Sequence, residues 1–504
     1  MKWFFRSLFG FFSVLAAGLL LAGIFHLTLW AKDAGPAIKV DTTALERSPQ
    51  LGTSFAPVVK KAAPSVVNIY TTRVVHMRLR RNPFFDDPFF RQFFGGPPGG
   101  NENREITRRE QFLGSGVIVS PDGYILTANH VVGDMDEIKV ALGDSDSKKF
   151  TAKMIGTDPA TDVAVLKIDA KDLPAITLGD SDQLEVGDVV LAIGNPFGVG
   201  QSVTMGIVSG LGRHYQDLGG YQNFIQTDAA INGGNSGGAL VDAEGRLIGI
   251  NTWIATSSGG SEGVGFAVPV NMARRVMQNL ISGGKVNRGY LGVFPQDITP
   301  DLAQEFNLPD QNGVLVGDVE SNTPAQSVGI KSGDVITEIN GKKVADANDL
   351  RLTVSELAPG TKVTVRLVRD SHEKTVTLTL AELPDQAAKN GNGQNNSSSE
   401  NAKADALDGV TVADLDQDAR HQLRLPDNIQ GVVVTDVDQD SNAVEAGLRP
   451  NDIVVEINRH PVTSADRAVE LCKQARGDRI LLKIWRREGG LTGTRYLSVD
   501  NTKK

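Results

Sequence analysis

Residues 232–240 read Asn-Gly-Gly-Asn-Ser-Gly-Gly-Ala-Leu, which leaves Ser236 among four glycines. A serine hydroxyl is a weak nucleophile. Acyl chemistry at such a residue needs an imidazole to take the proton, a carboxylate to orient the imidazole, and backbone N–H groups aimed at the developing oxyanion. Gly234 and Gly237 keep side chains out of that space. Seen alone, Gly-Asn-Ser-Gly-Gly also reads as a flexible turn. Upstream, however, His130 stands in Thr-Ala-Asn-His-Val-Val after a strand-like run, and Asp162 stands in Thr-Asp-Val-Ala-Val-Leu-Lys-Ile beside another. The order His, Asp, Ser is one in which such a triad is known to occur. Asp169, Asp180 and Asp228 are rival carboxylates, and spacing alone does not choose among them.

The elements around these residues read as β structure. Residues 65–70 are β-branched enough for a first strand, and 112–168 alternate short β runs with turn signals such as Ser-Pro-Asp-Gly at 120–123. Residues 187–254 repeat the pattern with five candidate strands, at 189–193, 203–208, 224–227, 238–241 and 247–251. Two barrels are expected, the first carrying His130 and Asp162 and the second Ser236, with the site in the cleft between them. Asn271 is expected to cap an amphipathic helix over 272–281, ended by Gly283-Gly284.

The chain has 504 residues, too many for one core, and three or four domains are expected. With 51 Lys and Arg against 60 Asp and Glu there is no basic excess to attract nucleic acid. Cys472 is the only cysteine, so no intrachain disulfide or thiol framework can form, and its apolar neighbours suggest a core position. Gly284-Lys285 and Gly341-Lys342 lack the rest of a phosphate loop, and His372-Glu373 lacks a second histidine one turn on. Neither ATP hydrolysis nor a metalloenzyme is suggested, and no metal or other cofactor is expected. Residues 1–31 begin with Lys2 and Arg6 and then run nearly without charge. This is an export segment, either a cleaved signal or a retained anchor.

Two further features stand out. Residues 78–103 hold Phe84, Phe85, Phe89, Phe90, Phe93 and Phe94 among Pro and Gly, too broken for a regular element and too aromatic for an inert linker. They must pack either on their own barrel or elsewhere. From residue 288 an internal repeat appears: 313–344 aligns without a gap to 431–462 with about a dozen identities, among them Asp334 with Asp452 and Glu338-Ile339-Asn340 with Glu456-Ile457-Asn458. A polar linker at 383–405 separates the copies.

The segments Thr-Ala-Asn-His-Val-Val, Thr-Asp-Val-Ala-Val-Leu and Ile-Gln-Thr-Asp-Ala-Ala-Ile-Asn-Gly-Gly-Asn-Ser-Gly-Gly resemble, as a set, the HtrA (Deg) family of serine endoproteases. The resemblance covers roughly 53–500, and Gly233, where many relatives carry Pro or Arg, is a departure expected to loosen the loop. It implies a mainly β chain: a chymotrypsin-like double β-barrel protease domain over 53–282, then PDZ domains over 286–382 and 406–500. It selects Asp162 as the third triad member beside His130 and Ser236, and it places the oxyanion donors at Gly234 and Ser236, with Asn235 as a further candidate. Ala230 stands where trypsin-like enzymes place an Asp, so Ala230, Ile231, Trp253, Ile254 and Ala255 are expected to form an apolar pocket for small aliphatic side chains. Arg288, Tyr290, Leu291, Gly292 and Val293 resemble a PDZ loop that takes a peptide's terminal carboxylate; Leu407, Gly409 and Val410 match more weakly. Arg213 is a regulatory candidate. The partners implied are unfolded polypeptides, peptide C-termini and further copies of the chain in trimers or multiples of trimers, with the phenylalanine segment reaching between subunits. The compartment implied is the periplasm, or the inner membrane facing it. A competing role is a PDZ-bearing chaperone that holds exposed hydrophobic strands without cutting.

Overall fold

The computed structural model describes residues 36–45, 54–78, 105–143, 148–195, 200–215, 220–256, 260–384, 404–407, 409–427, 429–488 and 491–502. The export segment at 1–31, the phenylalanine-rich stretch at 84–94 and nearly all of the 383–405 linker lie outside them. Two compact units result, Met1–His214 with Asn223–Val286, and Tyr215–Gln222 with Asn287–Lys504. Among the described residues no helix is long and apolar enough to cross a membrane.

The first unit begins with helix α1 (Ala56–Ala62) and contains two closed barrels. The first is built from β1 (Val66–Arg78), β2 (Glu105–Ile118), β3 (Tyr124–Ala128), β4 (Glu137–Leu142), β5 (Lys149–Asp158) and β6 (Val163–Ile168), in the order β1-β2-β3-β6-β5-β4. Period-two alternation sends Val67 and Ile69 inward with Ile118, Ile125, Val140 and Leu166, none of them exposed. At roughly 25 cal/mol per Å² of apolar surface, these side chains supply much of the barrel's stability. The second barrel comprises β7 (Val189–Gly194), β8 (Ser202–Arg213), β9 (Phe224–Thr227), β10 (Ala239–Asp242), β11 (Leu247–Ile254) and β12 (Gly265–Pro269), ordered β10-β11-β12-β9-β8-β7. Its closing strand β12 is absent from the sequence reading, because a five-residue run with Gly at one end and Pro at the other gives a weak strand signal.

A single helical turn, α2 (Asn129–Val132), follows β3, and helix α3 (Val270–Gly283) follows β12. The start of α3 corrects the expected cap. Pro269 is the N-cap, and Asn271 lies inside the helix with its amide donating to Asp180 at 2.7 Å. The end agrees with expectation: Gly284 takes the left-handed conformation at φ 71°. Leu280 on the apolar face lies over Gly156 of β5, where a Cβ would stand 2.9 Å from the leucine. Arg246, only 3% exposed, pairs with Asp242 at 2.7 Å and donates to the Thr43 carbonyl at 2.7 Å, which fastens residues 36–45 to the second barrel.

The second unit contains two copies of one small α+β fold. The first copy has β13 (Gly289–Tyr290), β14 (Val293–Asp297), β15 (Val314–Val319), β16 (Val335–Ile339), β17 (Lys342–Lys343), helix α4 (Ala347–Ser355), β18 (Lys362–Arg369), β19 (His372–Thr379) and β20 (Ala381–Glu382). The second has β21 (Ala404–Leu407), β22 (Val410–Asp414), β23 (Val432–Val437), β24 (Ile453–Ile457), β25 (His460–Pro461), helix α5 (Ala465–Gln474), β26 (Arg479–Glu488) and β27 (Leu491–Asp500). The repeated Asp has a structural reason. Asp334, 1% exposed, accepts two bonds from Arg369 at 2.6 Å, and Arg369 also donates to Gly329 O. In the second copy Asp452, Arg486 and Gly447 O repeat this arrangement. The two copies are joined through β27: Tyr496 exchanges two bonds with Gln296, Thr494 donates to Gly317 O at 2.6 Å, and the Tyr496 ring meets Phe306 edge-on.

Candidate active site

His130 rides on α2, the one-turn helix that Gly114 makes possible: a Cβ at 114 would lie 2.4 Å from Val131. Asp162, before β6, has φ 57°, a conformation uncommon for a residue with a side chain, and its carbonyl accepts from Asn129 N at 2.9 Å. That backbone geometry turns the carboxylate back toward α2. One oxygen accepts from His130 N at 2.9 Å, and the other faces His130 Nδ1 at 2.8 Å and accepts from the Thr252 hydroxyl. Since a carboxylate accepts, Nδ1 carries the proton and Nε2 is left as the basic nitrogen. Burial pushes the Asp162 carboxyl up, but the hydrogen bond and charge of His130, then the Thr252 hydroxyl, outweigh it and hold the group below its ordinary range.

Ser236 lies in the loop before β10, and its Oγ donates to the Thr252 carbonyl at 3.1 Å. Thr252 therefore holds both the Asp162 carboxylate and the Ser236 hydroxyl. Gly237, at φ 81°, has its Cβ position 2.2 Å from Ser115 O, so no other residue fits there. Ser115, unexposed in β2, fastens this loop at two points: its hydroxyl donates to Gly234 O at 2.7 Å and its N–H to Ser236 O at 2.9 Å. Asn195 N in turn donates to the Ser115 hydroxyl at 3.0 Å. Asn235 N is engaged by Asn232 O at 2.9 Å; Gly234 N and Ser236 N have no such partner among the described residues. Of the three expected donors, only Asn235 N is therefore engaged within the loop.

Thr252 and Ser115 escaped the sequence reading. Thr252 is the residue before Trp253, and Ser115 stands in Leu-Gly-Ser-Gly-Val, a weak signal that only the topology explains. The rival carboxylates lie elsewhere. Asp228 accepts from Ile207 N at 2.7 Å, Asp180 accepts from Asp182 N and Asn271, and Asp169 is exposed.

Of the pocket candidates, Ala230 is half-buried and its carbonyl accepts from the Thr204 hydroxyl at 2.9 Å. Ile231 is 1% exposed in the second-barrel core, with Ile254 packed against that core, and it fills the space at Gly265, where a Cβ would stand 2.9 Å away. Trp253 stacks on Phe266 with ring centroids 4.6 Å apart, and Ala255 N donates to Val264 O. Ile231 thus belongs to the barrel core rather than to an open pocket surface, while Ala230, Trp253, Ile254 and Ala255 are half-buried. Arg213, at the end of β8, donates to Gln226 at 3.0 Å. Among the described residues no group of three or more His, Cys, Asp or Glu could hold a metal ion.

In the second unit Gly292 has φ 84°, and a Cβ there would overlap Thr323 at 2.2 Å. Gly292 O accepts from Glu320 N and Leu291 O from Ala325 N, both at 2.9 Å, which fixes the loop between β13 and β14. Tyr290 donates to the Glu320 carboxylate, and burial followed by that bond raises the phenol far above its ordinary range. The Arg288 guanidinium lies 4.4 Å from the Tyr221 ring centroid, and Val293 packs on the first-copy core. Beyond this loop β14 is the terminal strand of its sheet, flanked by α4. In the second copy Gly409 has φ 74° and its carbonyl accepts from Asp438 N at 2.8 Å, but Leu407 and Val410 face each other as paired strand residues.

Residues 114–250 match the model of a trypsin-like peptidase domain, and 289–380 and 433–486 each match a PDZ domain. The chain is 39% identical over 447 residues to a probable periplasmic serine endoprotease, DegP-like, of Chlamydia muridarum, covering 86% of this chain and 87% of that one. It is 42% identical over 435 residues to one from Pseudomonas fulva, covering 83% and 88%. Among solved structures, the HtrA-type protease AlgW with decapeptide aligns at 47% identity and a TM-score of 0.53, covering 66% of this chain and 99% of that chain. Two six-stranded barrels carrying a serine, histidine and aspartate, two PDZ domains, and relatives of this identity over most of their length establish that the chain is a serine endopeptidase of the HtrA family, DegP-like in its domain order.

Proposed function

We propose that this enzyme degrades unfolded polypeptides in the bacterial periplasm through an acyl-enzyme intermediate, without ATP. The observation that carries the reading is the two-point grip of Asp162 on His130, with Ser236 and two disengaged N–H groups on the facing loop. On substrate binding the Ser236 hydroxyl leaves the Thr252 carbonyl for His130 Nε2. It attacks the scissile carbonyl as Nε2 takes its proton, and the oxyanion is received by Gly234 N and Ser236 N. His130 returns the proton to the leaving amine, and water repeats the sequence to release the acid. Loss of one oxyanion donor typically costs about 3 kcal/mol of barrier.

Ala230 in place of an acidic residue, with the apolar Trp253 and Ile254 half-buried in the same barrel, favours cleavage after small aliphatic residues. The loop at Tyr290–Val293 takes peptide C-termini beside the free edge of β14. Relatives named periplasmic support that compartment, and the chain works as a trimer or a multiple of trimers. A holding role for unfolded chains belongs to the same proposal, with the PDZ domains as its binding surfaces.

Casein digestion by wild type beside Ser236→Ala is the direct test. Wild type should cut with or without chelator or ATP, and the variant should not. Equal cutting by the variant would overturn the proposal, and product mapping that showed cleavage after Lys or Arg would overturn the pocket assignment.

A further inference from the structure

The two copies in the second unit differ where their likeness matters most. In the first, the segment before the glycine loop, β13, turns away from β14 and pairs with β20. In the second, the corresponding segment β21 folds back on β22 as an antiparallel strand, pairing Ala404 with Val412, Asp405 with Thr411 and Leu407 with Val410. It also lies against α5. The space between β22 and α5 is the counterpart of the space between β14 and α4, where an added peptide strand would sit.

We infer that residues Ala404–Leu407 are the resident ligand of the second PDZ groove, held in cis, so that only the first groove is open to the C-termini of other chains. This rests on reading both grooves as peptide sites. Direction supports it: β21 runs antiparallel to β22 and its C-terminal end stands at the Gly409 loop, the polarity of a peptide whose terminus is captured there. Chemistry supports it as well. Leu407 is half-buried and packs on the apolar core formed by Val410, Leu471 and their neighbours, as a ligand's last apolar side chain would. Covalent attachment through the adjoining turn gives this strand an effective concentration on the order of millimolar or above, against which a separate peptide must compete. An apparent affinity reduced about tenfold or more follows for any outside ligand.

The test uses full-length chains carrying Ser236→Ala, so that nothing is cut, and a synthetic peptide of residues 398–407 with a free carboxylate. Gly292→Glu closes the first groove. In that background the intact chain should show weak binding or none by calorimetry. Replacing Ala404–Leu407 with Gly-Ser-Gly-Ser should then bring about one peptide per chain, bound at least about tenfold more tightly. Equally tight binding with the strand intact would overturn the inference. So would no gain after replacement in a chain that melts like its parent. Hydrogen exchange on the unreplaced chain tests the same point without relying on the variant's folding: amides at 404–407 should be protected about tenfold or more over the free peptide, and exchange at the free-peptide rate would overturn it. A chain with an intact Gly292 that binds no free-carboxylate peptide would instead overturn the reading of the first groove, leaving the exchange result to decide this one.

Discussion

The Ser115 hydroxyl, in the first barrel, donates to the Gly234 carbonyl of the second at 2.7 Å, while the Ser115 N–H donates to Ser236 O at 2.9 Å. One unexposed residue thus fixes the carbonyls of both Gly234 and Ser236, the two residues whose own N–H groups are the proposed oxyanion donors. Ser115→Ala removes the hydroxyl and leaves Gly234 O and Asn195 N without it, at a cost of about 1–3 kcal/mol to stability. Steady-state kinetics should show kcat lowered ~10-fold or more with KM little changed. An unchanged kcat would show that the loop holds its shape without this bond.

Thr252→Val deletes the hydroxyl that meets Asp162 but keeps the carbonyl that meets Ser236. A hydrogen bond to a charged group contributes about 1.5–3 kcal/mol, so kcat/KM should fall ~10- to 100-fold. Asp162→Asn, which favours the wrong imidazole tautomer, should cost roughly 10⁴-fold. Thr252→Ser should recover most of the first loss.

The Asp162 carboxyl is held below its ordinary range, so its contribution to stability is fully present above the unfolded carboxylate range, near pH 4, and is lost as pH falls through the lower folded value. Calorimetric melts of the wild type should therefore lose stability below about pH 4. Asp162→Asn should flatten that part of the profile, and an identical profile would show that the shift carries no stability.

Asp334 and Asp452 are each nearly unexposed and held by a two-point arginine bond. Changing either to Ala leaves a partly buried guanidinium without its partner, which costs about 1–3 kcal/mol. Each change should lower the melting temperature of its own PDZ domain and leave cleavage of a short peptide by the protease domain unaltered.

Burial pushes the Cys472 thiol up to about 12, so almost no thiolate exists at pH 8. A colorimetric thiol reagent should report no free thiol in the native protein and one per chain in denaturant. Rapid native labelling would show that α5 opens locally.

Much of the active site could be read from its residues because the chemistry limits which types can serve. His130 and Ser236 stand in short, unusual contexts, whereas Asp162 was separated from Asp169, Asp180 and Asp228 only by the family resemblance; Gly237 was legible as a residue that keeps a side chain out of the loop. The barrel strands were legible where β-branched residues alternate, as at Val67 and Ile69. What could not be read were contacts between distant segments. Ser115 and Thr252 are ordinary small polar residues until β2 and β11 bring them to the loop that carries Ser236. Asn271 looked like a cap because its type favours that position, but Asp180, some ninety residues earlier, draws its side chain away. The repeated Asp334 and Asp452 were visible as identities, whereas their arginines lie beyond the aligned segment. Nothing in Ala-Asp-Ala-Leu announced a strand that pairs with the residues just after it.

The division of the site between two barrels also bears on how the enzyme comes into being. His130 and Asp162 belong to the barrel made first, while Ser236 and Thr252 arrive only with the second. Given the roles proposed for these residues, a chain still being synthesised from its N-terminus has its base without its nucleophile until the later barrel closes against β2. On the proposed mechanism, completion of folding is then the event that assembles the site, and an incomplete chain lacks the means to digest its neighbours.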